Sequence, residues 1–314
     1  MKGSITIDPI TIDPMTIDPI TSFSSSVVES SILRLDKLHP IVSGNKWFKL
    51  RYYIEDAIAN KATTIASFGG PYSNHLVALA FAAKENNLKS IGYVRATKED
   101  TLTLSLQEAL TYGMQLEFMG RTHFQAIKND LLKANKSINI VNNIKGNQDQ
   151  SGVYYIDEGG YGEVGAKGAA TILNAHCKYY TTIIAAVGTG TMLAGLINAA
   201  EAHQDIIGIP VLKNEASIET EIKNLLKDSS KPFTLLHNFH QGGYAKTNPV
   251  LFNFMNQLWT LEKIPTDIVY TGKLLLAVDS LLKENYFKEG SKILVIHSGG
   301  LQGNRSLPLG TLLY

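Results

Sequence analysis

"TTIIAAVGTGTMLAGLINAAEA", residues 181–202, is the stretch on which the fold turns. Its first seven residues form an apolar run without polar alternation, the pattern of a strand covered on both faces. From Thr191 onward the apolar residues recur at helical spacing, and Gly188-Thr189-Gly190-Thr191 joins the two halves. Strand, glycine-rich turn and helix in that order are the building unit of a parallel α/β sheet. Glycines at the start of a helix also let backbone N–H groups approach an anion while the helix dipole favours its charge, so residues 188–191 read as a candidate phosphate cradle. The other reading is a tight strand-to-helix connection with no ligand. No Gly-Lys-Ser/Thr follows, which excludes a Walker loop. Position 193 is Leu, so the dinucleotide fingerprint is incomplete, and Glu215, at about the right distance for a ribose-binding acid, comes after Lys213-Asn214. A nicotinamide-dependent dehydrogenase is therefore the weaker enzyme reading.

The same rhythm runs outward in both directions. Upstream, "YYIEDAIANK", "HLVALAFAAKENN", "TLSLQEALTYG" and "HFQAIKNDLLKAN" read as helices, and "ILRLD", "TTIASF", "SIGYVR" and "QLEFMG" as strands. Downstream, "DIIGIPVL" and "SKILVIHSGG" read as strands, and "GAKGAATILNAH" (165–176), "VLFNFMNQLW" and "GKLLLAVDSLLKEN" as helices. Asn248-Pro249 is a cap-and-first-turn signal for the helix that follows. The expected architecture is α/β, with two open, twisted, mostly parallel sheets flanked by helices. The expected partition is a larger lobe of residues 1–49 and 153–314 and a smaller one of 50–152, with a soft boundary in "GNQDQSG" at 146–152. The first 20 residues hold the repeat "TIDPI", "TIDPM", "TIDPI", whose prolines forbid a helix and point to an extended arm.

Composition narrows the function. The 314 residues are 44% apolar and 18% charged, with 29 basic against 28 acidic groups and a net charge of +1. No global field draws such a chain to a nucleic-acid backbone or an anionic membrane. No apolar run approaches the roughly 20 residues of a membrane span, and no secretory signal pattern opens the chain. Cys177 is the single cysteine, so no intramolecular disulfide forms and a reducing, cytoplasmic setting is expected. His75, His240 and His297 have no carboxylate or cysteine at ligand spacing, so no metal site is expected. Cys177 and Trp47 read as core residues, and Glu158 in "EGG" as structural.

Ligands of open α/β sheets sit beyond the carboxyl ends of the strands. Two further loops there are rich in glycine and polar residues: "SFGGPYSNH" at 67–75 and "VIHSGGLQG" at 295–303. In the first, Ser73 or Asn74 reads either as a plain helix cap or as part of a site. Lys46, in "HPIVSGNKWFKLRYY" at 39–53, follows a turn and precedes two large aromatics. A lysine available for a Schiff base, together with a phosphate cradle, is the pair of features that pyridoxal phosphate requires.

Taken in order, "SGNKWFKL", "GGPYSNH", "VGTGTMLAGL", "VYTGK" and "HSGG" resemble the D-cysteine desulfhydrase and 1-aminocyclopropane-1-carboxylate deaminase family, from about Leu33 to about Gly303. The resemblance implies a fold type II pyridoxal-phosphate enzyme acting on a small amino acid, commonly as a homodimer. It places Lys46 as the Schiff-base lysine and leaves Lys49 as a structural or surface residue. It places Asn74 beside the cofactor's phenolic oxygen, and Ser73 with the backbone around Asn74 and His75 at the substrate carboxylate. Gly188, Thr189, Gly190 and Thr191 match the phosphate cradle, and Tyr244 and Tyr270 match two tyrosines near the substrate. Many relatives carry Arg at Phe48, an acid at Arg51, Gln at Tyr72 and a Thr-Arg pair at Leu76-Val77. Ring-opening deaminases of the family carry Glu at position 271 and an apolar residue at 298, whereas the desulfhydrase branch carries hydroxyls. Thr271 and Ser298 therefore imply D-cysteine or a related β-substituted D-amino acid. The alternatives are the cyclopropane acid, and a relative that binds without turnover.

Overall fold

The computed structural model describes residues 10–25, 27–97, 102–137, 152–213 and 217–314. Glu215, most of the 146–152 boundary and nearly all of the first repeat copy lie outside them. The chain forms two compact units, Met1–Ile12 with Lys46–Gly165 and Asp13–Asn45 with Ala166–Tyr314.

In the second unit, β1 (Ile17–Pro19) pairs antiparallel with β2 (Val28–Arg34), and all later neighbours are parallel. The sheet continues through β10 (Ser291–His297), β7 (Thr182–Val187), β8 (Asp205–Pro210) and β9 (Thr234–Leu235). Parallel neighbours need crossovers, here supplied by α6 (Thr191–Ala199), α7 (Ile218–Lys223), α8 (Pro249–Glu262) and α9 (Thr271–Lys283). Every residue of β7 is buried, as its unbroken apolar run requires. Ile184, Ile207, Ile209 and Val295 from the sheet share one core with Leu274, Leu275 and Val278 of α9.

The first unit holds four parallel strands in the order β5 (Met114–Met119), β4 (Lys89–Arg95), β3 (Thr64–Gly69), β6 (Val153–Ile156). Its helices are α1 (Asn45–Ala59), α2 (Asn74–Glu85), α3 (Leu104–Thr111) and α4 (Arg121–Ser137). Phe68, on the wholly buried β3, stacks on Tyr93 at 5.1 Å and meets Phe124 edge-on at 5.8 Å. Both sheets are mostly parallel and flanked by helices, which is the α/β class expected.

Several local features depart from the sequence reading. The helix expected over 165–176 is α5 (Glu163–Ala170), which stops early. Thr171 Oγ1 there donates to the Gly168 carbonyl at 2.7 Å, and Asn174 starts a separate 3-10 turn by accepting from the His176 N–H at 3.0 Å. Side-chain hydrogen bonds of this kind compete with helix continuation, and buried Ile172 keeps the apolar period running across the break. The helix expected from Tyr52 begins at Asn45, which puts Lys46 in its first turn. The four-residue strand β6 had no place in the sequence reading.

Candidate active site

In the second unit, α6 opens on Gly190, whose φ of +81° is a left-handed conformation that glycine adopts without cost. A side chain there would also strike Ile222 Cγ1 at 2.7 Å. No side chain caps this helix start, so its first-turn N–H groups lack the usual intrahelical acceptors and no cap competes for them. The hydroxyls of Thr189 and Thr191 lie 3.1 Å apart beside them. A Cβ on Gly188 would stand 3.2 Å from Tyr270 Cε1, so the loop passes close to that ring. Backbone donors, two hydroxyls and an uncapped dipole are the donor set of a phosphate monoester site, and the cofactor's phosphate fits it.

The loop after β10 holds the chain just before Lys46. Gly44, at φ +66°, lies so close that a Cβ would overlap the Ser298 carbonyl, and the Asn45 N–H donates to that carbonyl at 3.1 Å. Asn45 Nδ2 also meets Met192 Sδ at 3.4 Å, tying the residue to the first turn of α6. Lys46 thus follows a residue fixed by the loop after β10 and by the first turn of α6. Ser298 is buried.

Helix α9 begins differently. Asp267, fully buried, accepts from the N–H groups of Val269, Tyr270 and Thr271, each at 2.8 Å, and from Thr271 Oγ1 at 2.6 Å. Thr271 Oγ1 in turn accepts from the Asp267 N–H at 2.7 Å, so this hydroxyl is engaged in both directions. Lys273, also fully buried, donates to the carbonyls of His240 at 3.0 Å and Gly243 at 2.5 Å. Burial lowers its pKa to about 8, against the opposing pull of Asp267. The turn it grips leads into Tyr244, whose ring meets Tyr270 edge-on at 6.4 Å. Tyr244 is exposed. Sequence reasoning missed both Asp267 and Lys273. The available signal for the lysine was a cation among the leucines of "TGKLLLAV", where charges are rarely buried without partners.

In the first unit, Lys46 is half-buried, whereas Lys49, one turn further along α1, is buried and donates to the Gly159 carbonyl at 2.9 Å. Burial, and then the charge of Lys46, hold Lys49 well below the usual lysine range. Lys49 is therefore structural rather than a surface charge. His75 is buried, with Nε2 2.8 Å from Ser67 Oγ, and burial followed by Lys46 and Lys49 holds it well below the usual histidine range. Its Nδ1 is buried without a hydrogen-bond partner among the described residues, the condition of a group left for water or a ligand. Ser73 caps α2 by accepting from the Leu76 N–H at 3.3 Å, a bond that leaves its own proton available to donate. Asn74 and His75 supply first-turn N–H groups beside it. Two departures from the family pattern come as a pair: the Arg51 guanidinium lies 5.8 Å from the centre of the Phe48 ring and 4.7 Å from that of Tyr52.

The remaining histidines have local roles. His297 Nε2 lies 2.7 Å from the Pro265 carbonyl, and His240 Nδ1 accepts from the Gly242 N–H at 3.0 Å. Among the described residues no group of three or more His, Cys, Asp or Glu is placed to hold a metal ion, and no helix is long and apolar enough to cross a membrane. Cys177 is buried, and burial raises its thiol pKa.

An uncapped, glycine-rich helix start at the end of a buried parallel strand is a donor set that suits a phosphorylated ligand. The family model described as pyridoxal-phosphate dependent enzyme matches residues 17–299, and the chain belongs to that family. Its cofactor is pyridoxal phosphate. A Thermotoga maritima protein that carries the provisional name 1-aminocyclopropane-1-carboxylate deaminase is 26% identical over 289 residues, 87% of this chain and 88% of its own. The bifunctional D-cysteine desulfhydrase/1-aminocyclopropane-1-carboxylate deaminase of Arabidopsis thaliana, a mitochondrial protein, is 26% identical over 284 residues, 83% of this chain and 70% of its own. A solved structure described as an ACC deaminase homologue superposes with a TM-score of 0.76 at 23% identity, covering 92% of this chain and 90% of that one. This likeness bears on the fold, which is the type II arrangement expected.

Proposed function

We propose that the chain is a pyridoxal-phosphate-dependent lyase that eliminates a β-substituent from a small amino acid, D-cysteine or a related β-substituted D-amino acid, and that the released aminoacrylate takes up water to yield a 2-oxo acid and ammonia. Bound pyridoxal phosphate draws electrons from the substrate's Cα and so loosens its proton. Lys46 would anchor the cofactor, and its Nζ, when free, would take the substrate's α-proton as general base. Ser73 Oγ and the N–H groups of Asn74 and His75 would hold the substrate carboxylate, and the Asn74 side chain would hydrogen-bond the cofactor. Residues 188–191 would hold the phosphate, and Tyr270 and Tyr244 would serve the departing group.

The observation that carries the choice of substrate is the pair of hydroxyls at 271 and 298. Thr271 Oγ1 spends its one proton on Asp267, so Ser298 Oγ would be the hydroxyl free to serve the ring nitrogen. A neutral hydroxyl does not hold that nitrogen protonated as a carboxylate does. The weaker electron demand suits loss of a thiol, a good leaving group, better than opening of a carbon ring. The desulfhydrase in the Arabidopsis relative's name supports this reading, while the Thermotoga relative's name supports the cyclopropane acid as the second.

Incubation with D-cysteine, L-cysteine and 1-aminocyclopropane-1-carboxylate tests it. The expected products are pyruvate, sulfide and ammonia from D-cysteine, with turnover slowed at least tenfold in Ser298→Ala. Formation of 2-oxobutyrate from the cyclopropane acid, with no pyruvate from D-cysteine, contradicts it.

A further inference from the structure

The N-terminal repeat has no part in the proposed chemistry, yet its last copy is bound residue by residue. Thr16 accepts from the Arg34 N–H at 2.9 Å, and the Ile20 N–H donates to the Ser30 carbonyl at 2.9 Å. Between them Ile17, Asp18 and Pro19 lie opposite Leu33, Ile32 and Ser31 of β2. Asp18 Oδ2 bridges Arg34 at 2.9 Å and Lys37 at 2.8 Å. Ile20 is completely buried in the core that includes Phe23, Val28 and Ile32. Pro19 is exposed, and proline, which brings no ladder donor, belongs on an edge strand. The edge of β2 thus reads the order Thr, Ile, Asp, Pro, Ile.

The chain supplies that order twice more, identically at 6–10 and with Met in the last place at 11–15. We propose that the β2 edge is a binding site for an extended Thr-Ile-Asp-Pro-Ile segment and that the copy at 11–15 exchanges with the copy at 16–20 for it. In the exchanged register Asp13 meets Arg34 and Lys37, and Met15 enters the place of Ile20, a swap of similar volume that cores tolerate. Residues 16–20 become five extra loop residues before Thr21, and lengthening a surface loop costs little. The bond from the Asp13 N–H to the Leu38 carbonyl, 2.8 Å, is given up. The observed register needs no such loop and runs straight into Thr21 and Ser22, which bind Glu262 Oε1 at 3.0 and 2.6 Å. The 16–20 copy therefore predominates, and the preceding copy takes over when it is damaged.

Charge reversal separates this from a fixed edge strand. Asp18→Lys sets a third cation against Arg34 and Lys37. In a chain whose other copies are disabled by Asp8→Lys and Asp13→Lys, it lowers Tm by roughly 2–4 °C. In the otherwise native chain the same substitution costs less than half as much, because the 11–15 copy docks instead. A Pro14→Cys and Ser31→Cys pair added to Asp18→Lys then closes a disulfide within one chain, located by peptide mass. Equal losses in both backgrounds overturn the proposal, as does the absence of a 14–31 disulfide. A 14–31 disulfide that links two chains also overturns it, since the segment then comes from a second copy.

Discussion

Helices α6 and α9 both start in loops of the second unit, and they treat their first-turn N–H groups in opposite ways. At α6 a left-handed glycine stands where a capping side chain would be, and the threonine hydroxyls pair with each other. At α9 a buried carboxylate collects three N–H groups and a hydroxyl, so the positive end of the helix is neutralised from within. An uncapped helix start leaves its first-turn N–H groups open to an anion, whereas one plugged by a carboxylate does not. Gly188 to Thr191 is therefore the stretch proposed to take the phosphate, while the start of α9 fixes Tyr270 and, through Lys273, the turn before Tyr244.

The comparison breaks most visibly at Asp267. Asp267→Ala strands four buried donors, and at about 1 kcal/mol or more each the expected loss is about 3–5 kcal/mol in urea denaturation. A loss below 1 kcal/mol means that the carboxylate is not the plug described. At the open helix, Gly190→Ala forces a side chain into φ +81° and against Ile222. About 1–2 kcal/mol of strain is expected, with at least a tenfold weaker affinity for pyridoxal phosphate in a fluorescence titration. Unchanged affinity removes the loop from the phosphate site.

The smallest effect concerns Lys273, whose pKa falls from 10.5 to about 8 on folding. Between those values the unfolded chain binds the proton and the folded one does not, so this group makes stability rise with pH across that window. Below about pH 8 both states are protonated and its contribution is constant. Lys273→Met should flatten the rise, as read from denaturation midpoints at pH 7.5, 9 and 10. A slope identical to that of the unmodified chain rules out the titration assigned to this lysine.

Some of this was legible before any coordinates. The runs "TTIASF", "TTIIAAV" and "SKILVIH" have no polar face, so their burial between helices followed from composition alone, and the loops they lead into were the places to look for a site. Asp267 was hidden because a lone acid in "PTDIVYTGK" resembles any loop residue until the backbone curls its N–H groups onto it. Lys273 and Lys49 were hidden because a lysine's usual place is solvent, and only their carbonyl partners, far off in sequence, make burial tolerable. The break after Ala170 was masked by Ile172, which continues the helical period across a turn made by side-chain hydrogen bonds.

Lys46 and Lys49 are the contrast on which the account rests: one amine half-buried in the first turn of α1, the other buried one turn later and held by a carbonyl. The direct test is to load the protein with pyridoxal phosphate, reduce it with borohydride and locate the adduct by peptide mass. The account predicts loss of the visible band on reduction and a cofactor label on Lys46. A label on Lys49, or no label on either lysine, contradicts it.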